Sequence, residues 1–194
     1  MIELTGARFI VLLDASALFS IRVTNLVLDV AKRGVFQVRW SDAIHDEWTR
    51  ALVGKKPGTD PAGIARRRQV MDQSFPDALV TGFEHLVDSL KLPDADDRHV
   101  LAAAIASRAD VIVTFNVKHF PPEQLAPFGL EAQHPDDFLM HQMGLAPVIF
   151  WEAAKAVRQR LHKPPQSPDE FLKALIRAGL PQVAFALAKN KDAL

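Results

Sequence analysis

Short apolar runs that end in polar residues, separated by stretches of helical period, constrain this chain more than any other feature. FIVLLD (residues 9–14) is apolar up to an acid and reads as a central parallel strand, hydrophobic on both faces. Residues 24–33 read as a helix that Gly34 is placed to end. FQVRW follows as a second strand, and Ser41 then caps a helix carrying Asp42, Glu47 and Leu52. After the loop GKKPGTDP, Asp60 and Pro61 open a helix bearing Arg66, Arg67 and Arg68. ALVT is a further strand candidate. LPDADDRHVLAAAIASRA is the clearest helix, with Asp94 as its cap and Asp97 three residues later as an acidic variant of a capping box. VIVTFN is a strand leading into a loop with Asn116 and His119. Strands alternating with helices predict an α/β domain with a parallel sheet. Ligands bind such sheets at the carboxyl ends of the strands, where Asp14 and Asn116 both fall.

The pattern changes near residue 140. Residues 147–161 read as an amphipathic helix, broken by Lys163, Pro164 and Pro165. Ser167, Pro168 and Glu170 then supply a cap, a first-turn proline and a returning acid in register. Gly179 stops that helix and Pro181 starts a last short one. These pieces are too small to hold a core of their own. The expected division is a main domain over 1–140 and a helical extension over 141–194 that packs on it or on a partner. The stripe Phe171, Leu172, Leu175 and Ile176 must be buried. The extension carries none of the candidate acids, so its expected role is stability or partner binding rather than chemistry.

A chain of 194 residues can build one domain with a real core and a small appendage. Its 48% hydrophobic and 24% charged content excludes disorder as the main state. With no cysteine, disulfides and thiolate metal sites are excluded, which is compatible with a reducing, cytoplasmic setting. The opening MIELTGARFIVLLDAS lacks a basic leader and is interrupted by Asp14, so it reads as a buried strand and not as a signal peptide. LAAAIASRADVIV is broken by Arg108 and Asp110 and is no membrane span. A formal net charge of zero gives no global attraction to nucleic acid, leaving only local sites such as the Arg66–Arg68 run or Arg158, Arg160 and Lys163.

Asp14, Glu47, Asp96 and Asp97 carry the chemical signal. Unpaired carboxylates are poor core builders, because burying a lone charge is expensive. Gathered in one crevice they suit a hard divalent cation. Each also has an ordinary reading: Asp14 as a helix cap, Glu47 on a solvated helix face, Asp97 as part of a capping box. Three acids at one helix start, Asp94, Asp96 and Asp97, exceed what capping needs, and a cation would relieve their repulsion. Asn116 offers an amide oxygen that can ligate or orient water. Ser16 and His119 could meet a phosphate. No glycine-rich phosphate loop, zinc spacing or persuasive Ser-His-Asp order is found.

These motifs resemble a PIN-domain protein, close to the VapC-type toxin ribonucleases of toxin–antitoxin pairs. LLDAS aligns Asp14 with the family's first acid, and SDAIHDEW puts Glu47 on the second. DADDRHVLAAAIASRADVIVT resembles the third motif, with Asp97 as the best match and Asp96 beside it. TFNVKHF matches the fourth, where Asn116 and His119 stand at positions often acidic in the family. The resemblance covers roughly residues 8–140, and the tail with PPQSPDEFLKALIRAGLPQ looks like a C-terminal helical extension found in one subgroup. It implies a three-layer fold around a central parallel sheet. It also implies Mg²⁺ or Mn²⁺ held between Asp14, Glu47, Asp97 and Asp96, and hydrolysis of RNA phosphodiesters to 5′-phosphate and 3′-hydroxyl ends. Asn116 joins the three principal acids as a catalytic position. Ser16, Arg98, Lys118 and His119 become candidate substrate contacts, with the Arg66–Arg68 run as a further backbone clamp. A small antitoxin protein and a homodimer are the implied partners, with no membrane. The dimer is expected on the apolar faces of residues 26–30 or 44–52.

Rival readings are a phosphatase- or dehalogenase-like hydrolase with Asp14 as nucleophile, an RNA-processing nuclease of the same fold, and a binding module that has lost turnover. The first would be favoured by an aspartate two residues after Asp14, where Ser16 stands.

Overall fold

The structure, a computed structural model, describes residues 9–55, 58, 60–162 and 164–194. The first eight residues of the opening run, Lys56, Pro57 and Thr59 of the GKKPGTDP loop, and Lys163 lie outside the described residues.

The chain begins with β1 (Ile10–Leu13), then α1 (Ala15–Phe19), α2 (Ile21–Lys32), β2 (Gln37–Arg39), α3 (Asp42–Lys55) and α4 (Pro61–Ser74). A short α5 (Glu84–Val87) follows. A 3₁₀ turn over Ala95–Asp97 then leads into α6 (Arg98–Ala106) and β3 (Val111–Val113). After a second 3₁₀ turn (Val117–His119) come α7 (Pro122–Leu125), β4 (Glu131–Gln133) and four helices: α8 (Pro135–Leu145), α9 (Pro147–Gln159), α10 (Pro168–Arg177) and α11 (Pro181–Ala188). The sheet runs β2-β1-β3-β4, with every pair parallel. Val11 and Leu12 of β1, all of β3, and Val38 of β2 are buried, as expected of strands covered on both faces. The α/β fold class read from the sequence is the one observed.

Two strand expectations change. ALVT forms only a single bridge, Trp40 to Leu79, at the sheet's edge. β4 was not anticipated, because Glu131–Gln133 is three residues long and only partly buried, so no apolar run marks it. The helix caps follow the sequence closely. The Asp60 carboxylate accepts from the Ala62 and Gly63 amides. At α10 both halves of the Ser167–Glu170 capping box are made.

α8 carries the chain straight through residue 140, so the helical extension has no break from the main domain at that point. One hydrophobic cluster includes β1 and β3 together with Phe150, Phe171, Leu175, Val183 and Leu187 of the last three helices. α9 packs on α2 and α11 on α8. Asp136, buried on α8, accepts from the Gln182 and Val183 amides at 2.8 and 3.0 Å. It thereby caps α11 from a different helix, satisfying two donors that a helix start leaves open.

Leu26, Val27 and Val30, and likewise Ile44 and Trp48, lie inside this core. The faces of residues 26–30 and 44–52 are therefore used within the protomer and are not available as a dimer surface, which corrects the expected location. No helix among the described residues is long and apolar enough to cross a membrane.

Gly179 ends α10 at φ +87, and a Cβ built there would lie 2.6 Å from Phe115 Cε1. A left-handed backbone and a close neighbour thus coincide. Gly179→Ala is expected to cost at least about 1–3 kcal/mol, with the melting temperature falling roughly 2–4 °C for each kcal/mol. A scanning-calorimetry profile identical to the parent's would refute this.

Candidate active site

The site grows from the ends of two neighbouring strands. Asp14 leaves β1 with an extended backbone and caps α1, accepting from the Ala15 amide at 2.7 Å and the Ser16 amide at 3.4 Å. Its Oδ2 also accepts from the Ser16 hydroxyl at 2.6 Å and the Thr114 hydroxyl at 2.7 Å. Both hydroxyl protons thus point at one carboxylate that is 2% exposed. Those hydroxyls accept in turn: Ser16 Oγ from the Phe115 amide and Thr114 Oγ1 from the Asn116 amide, each at 3.0 Å. Parallel pairing of β1 with β3 brings these residues together across about a hundred positions of sequence. The capping role of Asp14 is real, but it is one of several contacts. Thr114 was not singled out in the sequence; its signal was a lone hydroxyl at the end of VIVT.

Asp97 behaves differently from the capping-box reading. Its side chain makes no cap hydrogen bond. Asp94 alone caps, accepting from the Asp96 amide at 3.0 Å. Asp97 instead turns inward, where Oδ2 sits 2.6 Å from His119 Nδ1. Burial pushes the Asp97 carboxyl above the usual carboxylate range, and the nearby Asp14 and Asp94 charges push the same way. The hydrogen bond from His119 works against that rise. His119 Nδ1 is also 3.7 Å from Asp94 Oδ2. Asp94, Asp97 and His119 each offer a ligand atom, and these atoms lie within 4.8 Å of one another. A mostly oxygen donor set of this kind, with the Asp14 charge beside it, fits a hard divalent cation.

The other sequence candidates are spread around this group. Asp96 is exposed on the same turn and stands outside the Asp94–Asp97–His119 cluster. Glu47 is exposed on α3 and lies 3.5 Å from His99 Nε2, which links α3 to α6. His99 was not anticipated; its Nδ1 is buried with no partner among the described residues. Asn116 is exposed, and its side chain makes no cap bond. Arg98 folds back, donating from Nε to the Ala95 carbonyl at 2.9 Å. Lys118 is exposed on the 3₁₀ turn.

Two of the three arginines at 66–68 are engaged within the fold, while Arg66 is exposed. Arg67 lies 4.5 Å from the Trp48 ring and donates to the Leu18 carbonyl and the Thr24 hydroxyl. Burial lowers its pKa to about 10, so it stays charged at neutral pH. Arg68 pairs with Asp42 and Asp46. Of the later cluster, Arg160 pairs with Asp29, and Arg158 donates to the Gln166 carbonyl at 2.8 Å.

Beside the acids opens a cavity of about 690 Å³. Ser16, Glu47 and Asn116 line one side, and Ala174, Arg177 and Ala178 of the C-terminal extension line another. Residues of the extension therefore line a cavity that adjoins Ser16, Glu47 and Asn116. The end of α10 lies close to the loop after β3, where a Cβ on Gly179 would stand 2.6 Å from Phe115 Cε1.

Comparison with known proteins places the chain in a family. A family model for the PIN domain matches residues 10–118, more than half of the chain, and one for the VapC50 C-terminal domain matches residues 135–189. A protein of Mycobacterium tuberculosis (strain ATCC 25618 / H37Rv) named "Putative ribonuclease VapC50" is 43% identical over 110 residues. That match covers 53% of this chain and 62% of the relative's length. No solved structure matches. With its strand-end acids and the helices that follow them, the chain belongs to the PIN-domain family and carries a C-terminal extension of the VapC50 type.

Proposed function

We propose that the chain is a divalent-metal-dependent endoribonuclease and the toxin of a toxin–antitoxin pair. The observation that supports this reading is the group of Asp94, Asp97 and His119, whose ligand atoms lie within 4.8 Å of one another, with the Asp14 charge near enough to push the Asp97 carboxyl upward. Two carboxylates in one crevice repel, and a cation removes that cost. Asp14 and Asp97 would hold a Mg²⁺ or Mn²⁺ ion, with Asp94 and His119 beside them, and Glu47 and Asp96 supplying acid at the rim. When bound, such an ion supplies Lewis acidity, making water a nucleophile at neutral pH and offsetting charge on the phosphodiester.

The protein's own groups do the positioning. The hydroxyls of Ser16 and Thr114 fix the Asp14 carboxylate. His119 fixes that of Asp97. Glu47 lines the open side of the site, where its free carboxylate oxygen can take a proton from the attacking water. The Asn116 amide, exposed next to it, can orient that water. In-line attack breaks the bond to the 3′-oxygen, leaving a 5′-phosphate and a 3′-hydroxyl.

The nucleophile reading of Asp14 has less support, because the carboxylate is buried and already accepts four hydrogen bonds. A cytoplasmic protein, a small antitoxin segment covering the cleft and a homodimer complete the proposal. The dimer would use surface other than residues 26–30 and 44–52.

The test is direct. Purified protein is incubated with a mixed pool of single-stranded RNA in Mn²⁺, in Mg²⁺ and in EDTA. Cleavage with either ion, abolished by EDTA and leaving 5′-phosphates, is the expected result. An intact pool under all three conditions would reject the reading.

A further inference from the structure

The Arg66–Arg68 run, expected to hold the substrate backbone, is largely engaged inside the fold. The cavity beside the acids offers another set of cations. Three of its lining residues are basic, Arg22, Lys55 and Arg177, against the single acid Glu47. In a chain of zero net charge this is a local positive surface next to an acidic group. Three aromatic side chains line the same space, the fully buried Trp48 and the partly buried Phe19 and Phe115. Lys55 Nζ lies 5.7 Å from the Phe19 ring centroid. Arg22 donates to Gln166 Oε1 at 3.1 Å, which ties α2 to the segment leading into α10. Arg177 is exposed and makes no ion pair among the described residues.

The position of Arg177 is well defined. The capping box fixes the start of α10, Phe171 and Leu175 anchor its inner face, and Gly179 at its end lies close to Phe115. Cations that track a backbone, beside aromatic faces on which bases stack, are the elements of single-strand binding. The cavity's size falls within the range of ligand sites.

We propose that helix α10 of the C-terminal extension forms one wall of a single-stranded RNA groove beside the active site. Arg177 contacts a backbone phosphate, and Phe19 and Phe115 offer stacking surface to a base. The groove is continuous with the acids through Ser16, Glu47 and Asn116. This continuity favours RNA over a protein segment as the occupant. The inference rests on the ribonuclease reading and assigns the extension a part in it.

The test uses the full chain and a fluorescent single-stranded oligoribonucleotide of mixed sequence, with binding followed by anisotropy in EDTA so that no cleavage intervenes. Arg177→Ala is expected to raise Kd about tenfold, the scale of one charge-assisted contact. It should also flatten the dependence of log Kd on log salt by about 0.7, the share of one phosphate on a single strand. Arg177→Lys should restore most of the salt slope. The melting temperature and Mn²⁺ affinity should be those of the parent, since Arg177 is exposed and lies outside the carboxylate group. If the parent binds and cleaves RNA but Arg177→Ala binds with the same Kd and salt slope, the groove is wrong and the ribonuclease reading stands. If the parent neither binds nor cleaves RNA, both fall together.

Discussion

Asp97→Asn is expected to abolish the proposed RNA cleavage and to raise the melting temperature of the metal-free protein. The two effects share a cause. In the folded chain the Asp97 carboxyl is held above its ordinary range, chiefly by burial and then by the Asp14 and Asp94 charges. Folding therefore favours its protonated form. The sign follows from linkage: stability from this group is fully present below the unfolded carboxylate pKa and is lost as pH rises through the raised folded value. At neutral pH the ionised group destabilises the metal-free fold. Asparagine removes that charge and keeps an oxygen that can accept from His119.

Cleavage should fall by at least about 100-fold, since altering even outer partners of a metal ligand commonly costs 10–100-fold. The same substitution at Asp14 should not stabilise, although relief of repulsion alone would say otherwise. Asp14 accepts from two amides and two hydroxyls, and an amide nitrogen cannot replace the oxygen that receives them. Calorimetry of both variants in EDTA, paired with a cleavage assay, checks the contrast. A lower melting temperature for Asp97→Asn would place the cause elsewhere.

Removal of residues 146–194 is expected to leave a chain that does not fold. The sequence presented these helices as an appendage whose loss lowers solubility or melting temperature and spares cleavage. Their packing predicts more. Phe150, Phe171, Leu175, Leu180, Val183 and Leu187 are each fully buried. Burial of one such side chain is worth about 1.5–3 kcal/mol. Six of them are comparable with the whole stability of a typical domain, about 5–15 kcal/mol. The loss is compounded on the other side of the contact, where α2 and α8 would expose the faces that α9 and α11 cover. The buried Asp136 carboxylate would also lose the two amides it caps. The truncated chain is expected in the insoluble fraction, or with a circular dichroism spectrum lacking a cooperative melt. A soluble truncation that melts cooperatively would contradict this and restore the extension as a separable part.

The sequence by itself determined the local structure and the candidates. The apolar runs marked β1 and β3, and the caps at Asp60, Asp94 and Ser167 marked helix starts, because these signals depend on residues within one turn of each other. It also named Asp14, Glu47, Asp97 and His119. What it could not carry was which of these meet. The bond from Thr114 to Asp14 spans a hundred residues and exists only through the register of β1 against β3. Whether Asp97 closes a capping box or faces His119 depends on where the loop after β3 falls, since either partner satisfies the carboxylate. Asp94 and Asp96 look alike in sequence, yet the turn of a 3₁₀ segment sends one toward His119 and the other to solvent. The three arginines at 66–68 look equivalent until packing buries one against Trp48 and pairs the next with two aspartates. The place of α10 was the least legible of all. Its amphipathic stripe required burial somewhere, but only the packing of α10 in the folded chain, with Gly179 close to Phe115, brings Arg177 to the cavity beside Ser16, Glu47 and Asn116. Hydrophobic burial has no direction of its own, so the stripe could state that the helix must dock and not where.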